Sequence, residues 1–189
     1  DASDEMIPAA LAYLGEDPNS KDKDVVAKVE AVLMGTRPYI RKFHSSEYIN
    51  ALSNGDICLA VGWSGDIFQA RDRADEAENG VTIVYSVPKE GALMWFDQMA
   101  IPKDAPHTDN ALAFINYMMR PEVIAKATNY VWYANGNKAS QPMLDEELLS
   151  DTSVYPTDEM MKSMYIVTPY EPRVQRQVTR LCTKVKSGQ

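Results

Sequence analysis

The stretch Asn54-Gly55-Asp56-Ile57-Cys58-Leu59-Ala60-Val61-Gly62-Trp63-Ser64-Gly65-Asp66 decides the fold class. Gly55 tolerates the left-handed backbone that closes a helix, so the helix expected over 48–53 ends at Asn54-Gly55. Ile57 to Gly62 is then a short, continuous apolar run, the pattern of a strand buried on both faces. A helix over about 65–77 follows, and its run Arg71-Asp72-Arg73-Ala74-Asp75-Glu76 reads as a solvated face. Upstream, Tyr39-Ile40-Arg41-Lys42-Phe43 has the look of a short strand, and Ser45-Ser46-Glu47 that of a helix N-cap. Strand, helix, strand, helix is the grammar of α/β architecture.

The same alternation runs outward in both directions. Towards the N-terminus, a helix over 6–14 stops at Gly15, and a second spans about 22–34. Towards the C-terminus, Val81-Thr82-Ile83-Val84-Tyr85-Ser86-Val87 is the segment richest in β-branched residues and reads as a strand. Pro88-Lys89-Glu90-Gly91 is a turn, and a further strand is expected over 93–101. Helices are expected over 109–119 and 121–130, the second with proline at its favoured first position. A loop, Ala134-Asn135-Gly136-Asn137-Lys138, short helices and a basic segment over 173–186 complete the chain, without an internal repeat.

Composition narrows the functional class. The 189 residues carry 27 acidic and 19 basic side chains, a formal net charge of −8, and are 45% hydrophobic, so the chain has the means to fold. An acidic chain of pI near 4.8 does not coat nucleic acid or an anionic membrane, which both attract basic fields; a cationic partner suits it better. No window approaches the run of about 20 apolar residues that spans a bilayer, and no signal-peptide pattern opens the chain. The start at Asp1 reads as a mature or truncated product. Cys58 and Cys182 leave three arrangements open: paired with each other, paired with sequence outside this chain, or reduced.

Catalytic constellations are sparse. Only His44 and His107 are available as bases for a nucleophile, and both read as surface histidines. There is no Gly-Xaa-Ser-Xaa-Gly elbow, phosphate-cradling glycine loop or cysteine pair at zinc spacing, so an enzyme has little support and neither metal nor cofactor is called for. What recurs instead is an aromatic beside a carboxylate near a strand end: Trp63 with Asp66, and Trp95 with Asp97, while Trp132-Tyr133 closes the last long helix. Open α/β sheets bind ligands beyond the carboxyl ends of their strands. The plainer reading makes the aromatics core plugs and Asp66 a helix cap facing the dipole.

The repeat of the pair favours binding. An ammonium over a tryptophan face gains roughly 0.5–2 kcal/mol, and its hydrogen bond to a carboxylate about 1.5–3 kcal/mol. Methylenes between two ammonium ends add about 0.8 kcal/mol each on burial. A hard metal ion wants converging oxygens without aromatic walls, so these residue types select an organic diamine.

Residues 44–50 and 54–66, with Pro88-Lys89-Glu90-Gly91, Trp95-Phe96-Asp97, Asn116-Tyr117-Met118-Met119-Arg120-Pro121, Tyr133-Ala134-Asn135 and the final Thr183-Lys184-Val185-Lys186-Ser187-Gly188, resemble the periplasmic polyamine-binding proteins of ABC importers. The resemblance covers essentially the whole chain, yet only about the second half of such a receptor. It implies a two-lobed, type II-like α/β solute-binding fold whose N-terminal half lies outside this chain. Residues 1–77 and 139–189 would form the second lobe, and 78–138 the returning part of the first.

The implied function is capture of putrescine or spermidine in an acidic, aromatic cleft and delivery to a membrane permease, in the periplasm and without chemistry. Trp63 and Asp66 would make one wall, Trp95, Asp97 and Tyr133 the other. Asp4 falls where the family usually carries a glutamate that reaches the ligand; either Asp4 acts through a bridging water or Glu5 takes the role. Cys58 matches a family cysteine whose disulfide partner lies upstream of Asp1. The alternative is a ligand-sensing or protein-interaction module of the same fold, against which the retained aromatic and acidic pairs weigh.

Overall fold

The computed structural model describes residues 2–189. Their regular structure is helical: α1 (Ser3–Tyr13), α2 (Lys23–Thr36), α3 (Tyr48–Ser53), α4 (Ser64–Glu76), α5 (Thr108–Met118), α6 (Pro121–Val131), α7 (Glu146–Ser150), α8 (Asp158–Ser163) and α9 (Pro172–Ser187), with 3₁₀ turns at Arg37–Tyr39 and Lys138–Met143. The chain divides into two compact units. The first comprises the chain to Ser46, Val87–Trp95 and Glu159–Gln189; the second comprises Glu47–Ser86 and Phe96–Asp158.

The first unit is built by local amphipathicity. In α9, Val174, Val178, Leu181 and Val185 recur at helical spacing and are buried, while Arg173, Arg176, Arg180 and Lys184 are exposed. That apolar stripe closes a core with Ile7, Ala10 and Leu11 of α1 and Val26 and Val29 of α2. Burying each such branched side chain contributes about 1.5–3 kcal/mol. The ends of the helices are specified too. The Asp22 carboxylate accepts the Asp24 N–H at 2.8 Å to start α2, and Gly188, at φ 74°, closes α9 in the left-handed conformation.

The second unit has two smaller clusters. Tyr48 and Leu52 of α3 meet Ile67 and Ala70 of α4, and Phe68 of α4 meets Leu148 and Val154. α6 contacts both α4 and α5. None of the residues of α5 is buried; Leu112, Phe114 and Tyr117 stay about half exposed.

The strands expected over 39–43, 57–62, 81–87 and 93–101 do not form ladders. Among the described residues the one β-bridge is parallel, Leu93 with Tyr165, held by Met94 N–H to Tyr165 O at 2.8 Å and Tyr165 N–H to Ala92 O at 3.1 Å. The run 57–62 is not buried on both faces either: Leu59 and Val61 are 87% and 75% exposed. Over 81–86 the period of two survives, with Val81, Ile83 and Tyr85 partly buried and Thr82, Val84 and Ser86 exposed. An alternating pattern commits a segment to one face, but a ladder also needs a second backbone at hydrogen-bonding distance. The described residues do not supply it. The helices, whose hydrogen bonds are internal, form close to where their spacing predicts.

Candidate ligand-binding site

Trp63 is the extended N-cap residue of α4, and Ser64, Gly65 and Asp66 make the first turn. Asp66 therefore sits where a carboxylate complements the helix dipole, yet its oxygens are taken by two phenols. Tyr48 Oη donates to Asp66 Oδ2 at 2.5 Å, and Tyr133 Oη donates to Asp66 Oδ1 at 3.1 Å. The backbone N–H of Trp63 donates to Tyr48 Oη at 3.4 Å. Asp66 is thus more than the helix cap of the plainer sequence reading.

The backbone is cut to fit these two rings. A Cβ on Gly62 would lie 2.6–2.9 Å from Tyr48 ring and hydroxyl atoms, and a Cβ on Gly65 would lie 2.3–2.6 Å from the ring of Tyr133. Here glycine is required by close approach, since φ is ordinary at both positions. Tyr133 arrives from α6, whose C-cap residue Trp132 is left-handed at φ 59°, ψ 25°. That conformation is strained for a bulky residue, and packing holds it. The Trp132 ring lies 5.7 Å from Phe68 between centroids, and the Arg71 guanidinium sits 4.8 Å over it. Just beyond, Asn135 Nδ2 donates to Thr128 Oγ1 at 3.0 Å, and its Oδ1 accepts from buried Ser140 Oγ at 3.0 Å, tying the loop to α6.

Burial, followed by the Asp66 charge, pushes the Tyr133 phenol well above its ordinary pKa, so it remains a hydrogen-bond donor at neutral pH. An ionised carboxylate held this way, next to a partly buried indole, accepts hydrogen bonds and attracts cations. His44 and His107 are exposed, as expected. No group of three or more potential metal ligands occurs among the described residues.

Of the residues predicted for the site, Trp63, Asp66 and Tyr133 are brought together in the second unit. Asp97 belongs to the same unit but stands exposed on an extended run, and no described hydrogen bond joins it to Asp66. Trp95 and Asp4 belong to the first unit. Trp95 is 40% exposed just after the 93–165 bridge, and Asp4 is exposed in the first turn of α1. Burial, then the charge of Asp4, raises the pKa of Tyr170 in that unit. Cys58, in the second unit, and Cys182, in the first, are both free thiols here, the former exposed and the latter half-buried. A cavity of about 280 Å³ in the second unit, lined by Phe68, Arg71, Tyr85, Asp151 and others, includes none of the predicted site residues. Sequence reading missed Tyr48, Gly62 and Gly65; the two glycines bracketing Trp63-Ser64 were the available signal.

The description "bacterial extracellular solute-binding protein" matches residues 1–156. The chain belongs to that family. Among its relatives, the putrescine-binding periplasmic protein SpuD of Pseudomonas aeruginosa is 47% identical over 188 residues, which is 100% of this chain and 51% of the relative. The putrescine-binding periplasmic protein PotF of Escherichia coli is 46% identical, with the same two coverages. The solved structure of the spermidine/putrescine ABC transporter substrate-binding protein PotD of Streptococcus pneumoniae aligns at a TM-score of 0.80 and 29% identity, over 100% of this chain and 56% of that one. The chain spans about half the length of the curated relatives it matches. The two-lobed α/β expectation stands at the level of the solute-binding fold, although the described residues of this half carry no sheet of their own. No described helix is long and apolar enough to cross a membrane.

Proposed function

We propose that this chain supplies part of the binding cleft of a periplasmic receptor that captures a polyamine, putrescine or spermidine, and delivers it to the permease of an ABC importer. The observation that carries this reading is the Asp66 carboxylate, held by Tyr48 and Tyr133 beside Trp63. Relatives named for putrescine binding, at 47% and 46% identity, support it. The receptor binds without chemistry: the described site holds an acceptor and aromatic surfaces but no nucleophile with a positioned base. Trp95, Asp97 and Asp4 contribute to the cleft in the receptor-length protein, where residues 1–77 and 139–189 belong to one lobe and 78–138 to the other. About half of a receptor's length lies outside the matched region of each relative. That half pairs with the extended runs 57–62 and 81–87 and completes the cage. No nucleic acid is a partner of so acidic a surface.

Calorimetric titration with putrescine, cadaverine and spermidine, set against glutamate and maltose, tests the reading. Binding of the cationic ligands alone is expected, weaker for this chain than for the receptor-length protein. A preference for glutamate or maltose would overturn it.

A further inference from the structure

We infer that Tyr48 is a positioning residue: together with Tyr133 it holds the Asp66 carboxylate in one orientation, with acceptor capacity left on each oxygen for the N–H donors of a ligand. The inference rests on the polyamine reading for its ligand, and on the geometry alone for its mechanism.

The direction of the Tyr48 proton is fixed by its neighbours. A backbone N–H can only donate, so the phenol oxygen accepts from Trp63 N–H, and its own hydrogen is directed to Asp66 Oδ2. Tyr48 itself cannot drift, being 7% exposed, at the start of α3, with its ring packed against Gly62. Tyr133 acts on the opposite oxygen in the same way, with its ring against Gly65. The pentapeptide Gly62-Trp63-Ser64-Gly65-Asp66 is therefore a cradle in which each glycine seats the ring whose hydroxyl serves the aspartate three residues behind Trp63.

The consequence is selective. An ionised carboxylate offers about four lone-pair positions, and the two phenols take one on each oxygen. Each oxygen keeps acceptor capacity, in a plane set by the phenols, and the half-buried residue keeps some surface. A primary ammonium, with three donors and a full charge, satisfies what is left. A quaternary ammonium has charge and no donor, and an alcohol has a donor and no charge. Tyr48 touches no ligand in this scheme; it acts through Asp66.

The test has two arms. Without ligand, three-bond couplings measured by NMR report the χ1 of Asp66, and the exchange rate of the Tyr48 hydroxyl proton is read in the wild-type chain. A single Asp66 rotamer that becomes averaged in Tyr48→Phe, with a slowly exchanging hydroxyl proton in the wild type, is expected. One unchanged rotamer in Tyr48→Phe, or a freely exchanging hydroxyl in the wild type, overturns the inference, and the second measurement stands even where the variant fails to fold.

With ligand, putrescine is titrated into wild type, Tyr48→Phe, Asp66→Asn and the double variant. Tyr48→Phe is expected to weaken binding about tenfold in the wild-type background and less than twofold once Asp66 is Asn, as a lost hydrogen bond to a charged group requires. Equal losses in both backgrounds would make Tyr48 a packing residue and overturn its positioning role. Absence of putrescine binding to the wild-type chain would count against the function proposed above, while the ligand-free arm would still decide the role of Tyr48.

Discussion

The two units of this chain solve the burial problem differently. The first closes one core from α1, α2 and α9, each presenting a stripe of apolar residues at helical spacing. The second divides its core into two clusters and leaves Leu59, Val61, Val84 and much of α5 in water. Charge divides with them. By sequence the first unit has 13 basic and 11 acidic side chains, a surplus of 2 positive; the second has 6 basic and 16 acidic, a surplus of 10 negative, and together they give the chain's −8. Completeness and neutrality fall on one side, the carboxylate site and its field on the other. A helix satisfies its backbone alone, so the three-helix core of the first unit is finished locally, while the extended runs 57–62 and 81–86 of the second wait for a partner backbone.

Amide hydrogen exchange should expose the largest contrast. Amides in the middle of α9 should exchange only through global opening, while those of Leu59 and Val61 should approach free-chain rates. In a receptor-length protein the second set should become protected. Equal protection in the isolated chain would dissolve the contrast between a finished and an unfinished unit.

Single substitutions sharpen the same point. Leu11 is fully buried, so Leu11→Ala should cost about 2–5 kcal/mol in denaturant unfolding. Leu59→Ala, at 87% exposure, should stay within about 0.5 kcal/mol. Gly65→Ala falls between, at about 1–3 kcal/mol, since its Cβ would meet the Tyr133 ring. That variant should also release Tyr133 from Asp66, visible as lost protection of the tyrosine hydroxyl; retained protection would mean the ring shifts cheaply.

These contrasts explain what was legible beforehand. The helical stripes of α1, α2 and α9 are local patterns, readable because i, i+3 and i+4 neighbours lie on one face. The runs 57–62 and 81–87 were legible as extended but not as unpaired, because pairing depends on backbone elsewhere. At the site, Trp63 and Asp66 were found from a strand end running into a helix start. Tyr48 was not, because a contact 18 residues away in sequence leaves no periodic trace. The left-handed Trp132 that delivers Tyr133 was equally hidden: glycine or asparagine would have announced it.

Alkaline titration bears on the second unit in particular. Burial and the Asp66 charge raise the folded-state pKa of Tyr133 above its ordinary 10.0, so the unfolded chain loses this proton first as pH rises. The folded state then binds more protons than the unfolded, and stability must fall above about pH 10. Tyr133→Phe should flatten part of that fall. An identical alkaline slope in the variant would place the pH dependence elsewhere, for instance at Tyr170, which burial and Asp4 also shift upward in the first unit.

The smallest effect expected is kinetic and follows from the charge division. A surplus of 10 negative charges in the unit that holds Asp66 should draw a dication in from beyond contact distance, an effect that salt screens over about 8–10 Å at physiological ionic strength. Glu146 and Glu147 open α7 in that unit, are exposed, and have no part in the Asp66 cluster. Neutralising both to Gln should lower the association rate of putrescine roughly twofold at low salt and leave the dissociation rate alone, because a diffuse field acts on encounter more than on the bound state. The difference from wild type should vanish as salt is added. A change confined to dissociation, or one that persists at high salt, would mean that α7 acts on the site by packing and that the field of the second unit is incidental to capture.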